Sequence, residues 1–372
     1  MRQTVAAVVL TLAATFVPGV ANAGTTEPPV PTSPPTVTGD PVFRGELRAE
    51  PGTWEPAEGL TFSYQWLRAG DPIDGATARR YVPRLDDIRA RLSVVVTATD
   101  SLGQPSEPAV SEPTTRVRKA ELELLERPGV TGTRRWTRRL TADTGDWRQP
   151  RVRTSFRWLR DGTPIDGATR RRYRLDHTDV GHRVQVRVTA RKEGYRTTTA
   201  TSRRGPRIGH LRPVRRTATY RIETRGHITA RMKVFRRQVA ETFADPRGWR
   251  SAGVAFRRVS QGGDFSVVLA EASEVPRFSS VCSAQWSCRV GRYVIINQTR
   301  WKHASPSWNS AGQPLRGYRH MVVNHETGHW LGHAHRGCTG RGDLAPVMQQ
   351  QSKGLDGCRH NPWPLASERW YD

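Results

Sequence analysis

Residues 325–335 read HETGHWLGHAH and carry the pattern H-E-x-x-H-x-x-G-x-x-H. On an α-helix, residues four positions apart lie on the same face, so His325 and His329 would present their imidazoles side by side. Two imidazoles placed in this way can bind one zinc ion at about 2.0–2.1 Å each. Glu326 lies beside them and would reach a water molecule at the ion. The stretch therefore predicts a metal-binding helix with a candidate general base.

A third ligand has two candidates in the same stretch. His333 lies one further four-residue step along the helix. Eight helical residues rise about 12 Å, however, which is too far for three histidines on one straight helix to reach one ion. Gly332 can take a left-handed conformation, end the helix and turn the chain back. His335 would then come round to the metal, and we predict it as the third ligand in preference to His333.

The motif has two other interpretations, a histidine-rich surface helix without a metal and a structural metal site. A structural zinc site is normally closed by four protein ligands. The motif supplies three imidazoles together with a carboxylate suited to accept a proton. It therefore favours a catalytic site with Zn2+ as the cofactor.

A turn that contains a methionine follows the motif, because residues 345–348 read APVM. With the long zinc motif, this turn resembles that of the metzincin metallopeptidases, which place a methionine beneath the metal. Met348 is the matching residue, and ordinary core packing is its alternative role. The resemblance covers residues 215–372. The segment around the motif and the turn also looks like a secreted actinobacterial family of unassigned function, on the basis of Cys338, Cys358 and the stretches QQQ (349–351) and NPWP (361–364).

The metzincin resemblance implies a zincin-like α+β catalytic domain over residues 215–372. It implies that Glu326 acts as the general base in hydrolysis of a protein or peptide substrate by metal-activated water. Tyr318 and His320, just before the motif, are candidates to orient the reacting groups, with capping and packing as their alternative role. An extended substrate is expected along an exposed sheet edge near residues 282–292.

The hydrophobic pattern of residues 215–372 predicts two helices and four strands. Met232, Phe235, Val239 and Phe243 recur at helical spacing, and Asp245 precedes a proline that would end this helix. The second helix is expected over residues 321–331. The predicted strands cover residues 217–223, 254–259, 264–270 and 293–297.

All four cysteines lie in this last part of the chain: Cys282, Cys288, Cys338 and Cys358. They fit an oxidising compartment and allow three connectivities. The local pairs Cys282–Cys288 and Cys338–Cys358 are favoured because each closes a short loop. A structural zinc site is the rival interpretation, but the spacing C-x-x-C is absent from the sequence.

An internal repeat precedes this region. Its matching segments are YQWLR (64–68) with FRWLR (156–160), PIDGAT (72–77) with PIDGAT (164–169), and LSVVVTA (92–98) with VQVRVTA (184–190). Short alternating runs between Gly, Pro and Asp turns predict antiparallel strands. Each copy has a mid-strand tryptophan, Trp66 or Trp158, expected to fill the space between two sheets.

The two copies, residues 37–118 and 123–208, resemble the immunoglobulin-like modules of secreted bacterial proteins. The expected fold is thus multidomain, with two all-β immunoglobulin-like sandwiches before the α+β domain. The usual core disulfide is missing from both copies. Two roles stay open for these modules, spacing and the binding of wall or substrate.

The first residues predict export from the cell. Residues 1–23 contain one arginine, an apolar run and a small-x-small site, as in a signal peptide. The apolar run is too short to span a bilayer, and no later stretch is long and apolar enough to do so. Residues 24–36 are rich in Pro and Thr and are expected to form an extended spacer without a core. The mature protein is therefore predicted to be extracellular and secreted, with association to the cell wall as a further expectation.

The charge is the remaining global feature, with 59 Lys and Arg against 34 Asp and Glu, a formal net charge of +25. Such an excess gives affinity for polyanions such as anionic cell-wall polymers. A general arginine bias without a dedicated partner is the alternative, favoured because the excess runs through several segments. Nucleic-acid binding is not expected, since no recognised fold or stacking motif accompanies the arginines.

The sequence thus predicts a secreted zinc-dependent endopeptidase. One alternative is a wall-associated binding protein whose zincin domain is inactive. The other is a metal-dependent amidase that acts on cell-wall peptides.

Overall fold

The computed structural model describes residues 27–370 of the chain. The predicted signal peptide (1–23) and the start of the predicted spacer (24–26) lie outside the described residues. The described chain forms two compact units, one of residues 27–121 with 192–196 and one of residues 122–191 with 197–370.

The first repeat copy, module 1, is an all-β sandwich. Its strands are β1 (Val30–Ser33), β2 (Thr36–Thr38), β3 (Leu47–Glu50), β4 (Thr53–Glu55), β5 (Thr61–Arg68), β6 (Asp71–Pro72), β7 (Arg80–Tyr81), β8 (Leu92–Thr99) and β9 (Ala109–Val110). A three-stranded sheet of order β2-β3-β7 and a four-stranded sheet of order β6-β5-β8-β9 enclose the core, and β1 pairs with β4.

Trp66 lies at the centre of this core and is fully buried, as predicted. Its indole N–H donates to the carbonyl of Ala78 at 2.9 Å, and its ring stacks on Tyr81 with centroids 5.3 Å apart. Below it, the buried Asp87 carboxylate accepts hydrogen bonds from Tyr81 Oη and Arg68 Nε, each at 2.7 Å. The tryptophan thus joins the two sheets, and its polar atom has a partner.

The second copy, module 2, repeats this architecture. Its strands are β10 (Leu124–Glu126), β11 (Val130–Thr131), β12 (Arg139–Ala142), β13 (Asp146–Trp147), β14 (Arg153–Arg160), β15 (Thr163–Pro164), β16 (Arg172–Arg174), β17 (Val184–Arg191) and β18 (Thr198–Thr201). Trp158 is fully buried and donates to the carbonyl of Arg170 at 2.8 Å. Tyr173 and Arg160 both donate to Asp179 at 2.8 Å, as their counterparts do in module 1.

The predicted spacer differs from the structure where it is described. Residues 30–33 form β1, which pairs with β4, and residues 36–38 form β2 in the first sandwich. Pro31 is compatible with this arrangement because β1 pairs with a single strand. Proline has no amide N–H, and on the unpaired edge of a strand no N–H is needed for a hydrogen bond. Module 1 therefore begins within the segment predicted to lack a core.

The C-terminal domain combines a five-stranded sheet with helices. Its elements are β19 (Arg216–Arg225), α1 (Met232–Ala244), β20 (Val254–Arg258), β21 (Phe265–Ala270), β22 (Cys288–Val290), β23 (Tyr293–Asn297), α2 (Gln298–His303), α3 (Pro306–Ser310) and α4 (Leu315–Trp330). The sheet order is β20-β19-β21-β23-β22. Four strands are parallel, and the edge strand β22 runs antiparallel to β23.

Both faces of this sheet are covered, which explains why every residue of β21 is buried. Val267 and Leu269 face a core that contains α1 and α4, with the predicted residues Phe235, Val239 and Phe243 in it. The alternate residues Val268 and Ala270 face a smaller cluster with Val275 and Cys282. The sheet and α1 thus form the platform on which α4 lies.

Four elements of this domain differ from the sequence prediction, which contained neither of the short helices α2 and α3. Helix α4 begins at Leu315, six residues before the predicted start at residue 321. The edge strand β22 was not predicted, because three residues are too few to show a period. Among residues 27–370, no helix has both the length and the apolar character needed to cross a bilayer.

Both favoured disulfides are present in the structure. Cys282 is bonded to Cys288 and Cys338 to Cys358, with Cα–Cα distances of 5.8 and 5.7 Å. The first bond ties the segment that leads into β22. The second joins the residues after His335 to the far side of the turn that carries Met348.

Loss of the Cys338–Cys358 bond should destabilise the domain. This bond spans 20 residues, and constraining such a loop in the unfolded chain is worth about 2–4 kcal/mol. We expect the double variant Cys338→Ser/Cys358→Ser to lose that much in urea unfolding. Cys282→Ser/Cys288→Ser is the control and should lose less, since its loop spans 6 residues. Equal stability of the Cys338→Ser/Cys358→Ser variant and the wild type would contradict the prediction.

Candidate metal centre

The end of α4 turns the chain back over its own histidines. The helix ends at Trp330, and Gly332 follows with a φ of 96°, in the left-handed region. The amide of Gly332 donates to the carbonyl of His329 at 3.2 Å, and the amide of His333 donates to that of Gly328 at 3.0 Å. This pair of bonds is a Schellman motif, which satisfies the last helical carbonyls and reverses the chain.

As a result, the three predicted ligands lie together. One ligand nitrogen from each of His325, His329 and His335 lies within 4.8 Å of the others. The Nε2 atoms of His329 and His335 are 3.1 Å apart. Among residues 27–370, no other group of three His, Cys, Asp or Glu side chains converges in this way.

Backbone carbonyls fix the orientation of the two helical imidazoles. His325 Nδ1–H donates to the carbonyl of Val347 at 2.8 Å, and His329 Nδ1–H donates to that of His333 at 2.7 Å. Each bond sets the tautomer and leaves Nε2 as a lone-pair donor towards the cluster. Two nitrogens bound tetrahedrally to zinc at about 2.05 Å would be about 3.3 Å apart, close to the observed separation of His329 and His335. The spacing of His329 and His335 therefore fits a zinc ion, and His325 supplies a third neutral nitrogen within 4.8 Å of them.

His333, the rejected candidate ligand, lies outside the cluster. Its ring packs against the rings of Trp249 and Trp370, with centroid distances of 4.6 and 3.9 Å. Its Nε2 is 2.8 Å from the carbonyl oxygen of Trp370. The reversal at Gly332 thus turns His333 towards the protein and leaves the third position to His335.

Burial keeps the three imidazoles of the cluster neutral. It lowers the pKa of His325 to about 3, with the neighbouring His329 adding to the shift, and lowers that of His329 to about 4. Burial also lowers the pKa of His335. A metal ligand must be a neutral imidazole, and these shifts make all three neutral at neutral pH.

Glu326 lies in the same cleft and is 6% exposed. Burial raises the pKa of its carboxyl to about 8. A carboxyl group with a pKa near neutrality can both accept and release a proton under physiological conditions.

Met348 lies beneath the helix, at Gly328. A Cβ atom on Gly328 would lie 2.3 Å from Met348 Sδ and 2.7 Å from the ring of Trp249. Met348 is fully buried, so its sulfur fills the space that this glycine leaves. Val347, the residue before Met348, accepts the hydrogen bond from His325 at 2.8 Å.

Glu368 is an important residue that the sequence analysis missed. Its fully buried carboxylate accepts hydrogen bonds from the amides of Val347 at 3.0 Å, Met348 at 2.9 Å and Leu365 at 2.8 Å. It thereby fixes the carbonyl of Val347, which orients His325. No local signal points to it, because it lies 20 residues after Met348 in a segment without periodicity.

Tyr318 and His320 have packing roles in the structure. Tyr318 Oη is 3.0 Å from Ser352 Oγ, and its ring packs edge-on against Trp308. His320 Nδ1 is 2.8 Å from Thr242 Oγ1. Neither residue lines the cleft. Their contacts match the packing role that the sequence analysis gave as the alternative to orienting the reacting groups.

A cleft of about 800 Å³ opens over the histidines. Its walls are α4, residues 350–353 and residues 281–289, which include the start of edge strand β22. The segment expected to border a substrate thus lies at the cleft. Arg289 and Lys353 add two positive charges to its wall, and each lowers the pKa of a neighbouring histidine.

A methyl group added at Gly328 should disturb the cluster. In a helix interior, Gly→Ala alone would stabilise by about 1 kcal/mol, but here the new Cβ meets Met348 and Trp249. We therefore expect Gly328→Ala to lose about 1–3 kcal/mol in urea unfolding and to bind zinc more weakly in competition with a chromogenic chelator. Gly354→Ala is the control, since no atom lies within 4 Å of its added Cβ. A Gly328→Ala variant as stable as the wild type would refute this account of the turn.

Glu326 should make the metal-free protein less stable as the pH rises. Its pKa is 4.5 in the unfolded chain and about 8 in the fold, so its contribution to stability is full below pH 4.5 and is lost as pH rises through about 8. Glu326→Gln removes this dependence but keeps the histidine contributions. In chelator-treated protein, the stability advantage of Glu326→Gln should therefore grow between about pH 5 and about pH 8. Urea unfolding at both values is the measurement, and an advantage independent of pH would contradict the prediction.

Comparison with known proteins finds one family match. Residues 186–365 match the model of a family described as "Protein of unknown function (DUF3152)". No curated protein matches the chain. Among solved structures, three N-terminal domains of the bacteriophage RB49 Highly Immunogenic Outer Capsid protein (Hoc) share 14% identity at a TM-score of 0.22, over 50% of this chain and 65% of that one. The FN1–FN3 domains of chicken CNTN1 share 13% identity at a TM-score of 0.17, over 45% of this chain and 65% of that one. TM-scores this low support no conclusion about fold or function.

Proposed function

We propose that this protein is a secreted zinc-dependent endopeptidase of zincin type. One observation carries the proposal: three imidazoles converge in an open cleft, and the buried carboxyl of Glu326 lies in the same cleft. A structural site would be closed by a fourth protein ligand. Among the described residues, no fourth His, Cys, Asp or Glu belongs to the group.

Zinc is the proposed cofactor, held by His325, His329 and His335. When bound, it supplies Lewis-acid polarisation of a substrate carbonyl and acidifies water. Two of the three imidazoles are oriented by backbone carbonyls, so little reorganisation is needed to hold an ion. Met348 and Glu368 support this arrangement from below the helix.

Glu326 is the proposed general base. Its carboxylate would accept the proton of the attacking water and hold it at a carboxyl oxygen. It would then pass this proton to the nitrogen of the leaving amine. The low-polarity surroundings that raise its pKa also favour the protonated form that this second step needs.

The cleft wall suggests how a peptide is held. An extended substrate can pair with the free edge of β22, which leads away from the cleft at Cys288 and Arg289. Arg289 and Lys353 would attract carboxylate side chains close to the cleaved bond. Acidic peptides are therefore the proposed substrate class.

An extracellular location agrees with two features of the chain. The two disulfides are typical of proteins that fold in oxidising compartments. The sequence of residues 1–23 has the pattern of an export signal. We propose that the protein is secreted and acts outside the cell.

The proposal predicts zinc-dependent proteolysis. The purified mature chain should contain about one zinc per molecule and cleave casein or acidic peptides. A chelator should abolish cleavage, and Glu326→Ala should lower kcat by a factor on the order of 10² or more, with zinc retained. The products are measured by mass spectrometry and the metal by elemental analysis. Lys233→Ala, an exposed change on α1, is the control and should cleave like the wild type.

Two other outcomes would favour a different function over the proposed one. Zinc at full occupancy without cleavage of any peptide would identify a binding protein with an inactive zincin domain. Cleavage of wall peptides, but not of casein or acidic linear peptides, would identify a wall amidase. Absence of bound zinc after growth in zinc-supplemented medium would contradict all three interpretations of the site.

A further inference from the structure

Module 2 carries paired arginines on the outer face of its four-stranded sheet. In the antiparallel register of β14 and β17, Arg153 lies opposite Arg191 and Arg157 lies opposite Arg187. All four residues are exposed. Residues directly opposite in an antiparallel pair share a face, with Cβ atoms about 4.5–5.5 Å apart. The four guanidinium groups therefore lie as two pairs on one surface.

The surface between and beside these pairs consists of hydroxyl side chains. Ser155 and Thr189 are paired between the two arginine pairs, and Thr199 and Thr201 of β18 continue the same face. The alternate residues, which include Trp158, Val186 and Val188, are buried in the core. We call this surface the arginine face, and it comprises Arg153, Ser155, Arg157, Arg187, Thr189, Arg191, Thr199 and Thr201.

The arginine face has uncompensated charge. Like charges placed directly opposite each other destabilise a sheet. Within residues 27–370, the side chains of its four arginines take part in no hydrogen bond or ion pair. Arg160, at the end of the same strand, is instead paired with Asp179 at 2.8 Å and has a counterpart in Arg68 of module 1. The arginine face is thus distinct from the arginines that support the fold.

Module 1 shows that the fold does not require these charges. It has the same strand pairing, but Thr61 lies opposite Thr99 and Gln65 opposite Val95 where module 2 has its arginine pairs. The central pair is kept, since Ser63 opposite Thr97 matches Ser155 opposite Thr189. Only one of two equivalent faces is therefore charged.

We propose that the arginine face binds a linear polymer of phosphodiester repeats that carries no bases. Guanidinium groups bind phosphate oxygens in bidentate geometry, and serine and threonine hydroxyls add donors between them. The two arginine pairs are four residues apart, about 14 Å along the strand, so an extended chain of regularly spaced phosphates can contact both. The face carries no aromatic side chain, whereas proteins that bind single-stranded nucleic acid stack its bases on aromatic rings. This inference goes beyond peptidase activity and does not depend on it.

Binding to purified poly(glycerol phosphate) tests the proposal, with the full mature chain measured by fluorescence anisotropy across a salt series. In the face variant, each arginine takes the residue of module 1: Arg153→Thr, Arg157→Gln, Arg187→Val and Arg191→Thr. We expect the affinity at about 0.1 M salt to fall at least about tenfold. The slope of the logarithm of the binding constant against the logarithm of the salt concentration should become shallower by up to about 3. The half variant Arg153→Thr/Arg191→Thr should show about half of that loss of slope.

A charge-matched control separates this site from general attraction. It removes four exposed arginines elsewhere by substitution with glutamine: Arg127, Arg204, Arg236 and Arg257. The control should bind poly(glycerol phosphate) within about twofold of the wild type, since these residues lie off the arginine face. The control should unfold at the same temperature as the wild type, and the face variant at the same or a higher temperature, because it loses two pairs of opposed like charges. Peptide cleavage, where the wild type has it, should be unchanged in both variants.

Three results would overturn the proposal. The first is a loss of binding in the control as large as that in the face variant, which would identify a general arginine bias. The second is tighter binding of single-stranded DNA of equal charge than of poly(glycerol phosphate), which would identify a nucleic-acid surface. The third is unchanged affinity in a face variant that unfolds at no lower temperature than the wild type.

Discussion

The candidate site depends on the reversal of the chain at Gly332. A straight helix carries its side chains apart at 1.5 Å per residue, so it can bring two histidines to one point but not a third. The left-handed φ of Gly332 ends α4 and returns the chain, which places His335 beside His329 with Nε2 atoms 3.1 Å apart. The same reversal turns His333 towards Trp249 and Trp370. One backbone conformation thus decides which of two histidines joins the cluster.

A second constraint acts from the other side of the helix. Glu368 holds the amides of Val347 and Met348, and the carbonyl of Val347 accepts the Nδ1 proton of His325. A buried carboxylate that accepts three amide hydrogen bonds fixes a loop more firmly than apolar packing does, because each bond is directional. The Cys338–Cys358 bond closes the loop between His335 and the end of this turn. The site is therefore built on segments distant in sequence that are locked together by hydrogen bonds and a covalent bond.

The parts of this arrangement that the sequence predicted are those with a local signal. The helical spacing of His325 and His329, the glycine before His335 and the two local disulfides are readable from a few adjacent residues. The strands of the C-terminal domain are readable as apolar runs, and β21, buried on both faces, is the clearest of them. Glu368 and the packing of Trp249 against Gly328 have no such signal, because each depends on a contact across the fold. Edge strand β22 was missed because its three residues are defined by pairing with β23 and not by their own pattern.

Comparison of equivalent positions in the two modules distinguishes residues that the fold requires from residues that only change the surface. Both modules keep a buried tryptophan, a tyrosine stacked on it, and an aspartate that joins the tyrosine to an arginine. Two copies of one fold have the same core contacts and are expected to retain these groups, because loss of one partner leaves the buried polar atom of the other without a hydrogen bond. The outer faces obey no such constraint, and there Arg157 stands where module 1 has Gln65. The arginine that recurs in both modules is therefore explained by its ion pair in the fold. The arginines found only in module 2 are not required by the fold, and a role in binding at the surface would explain them.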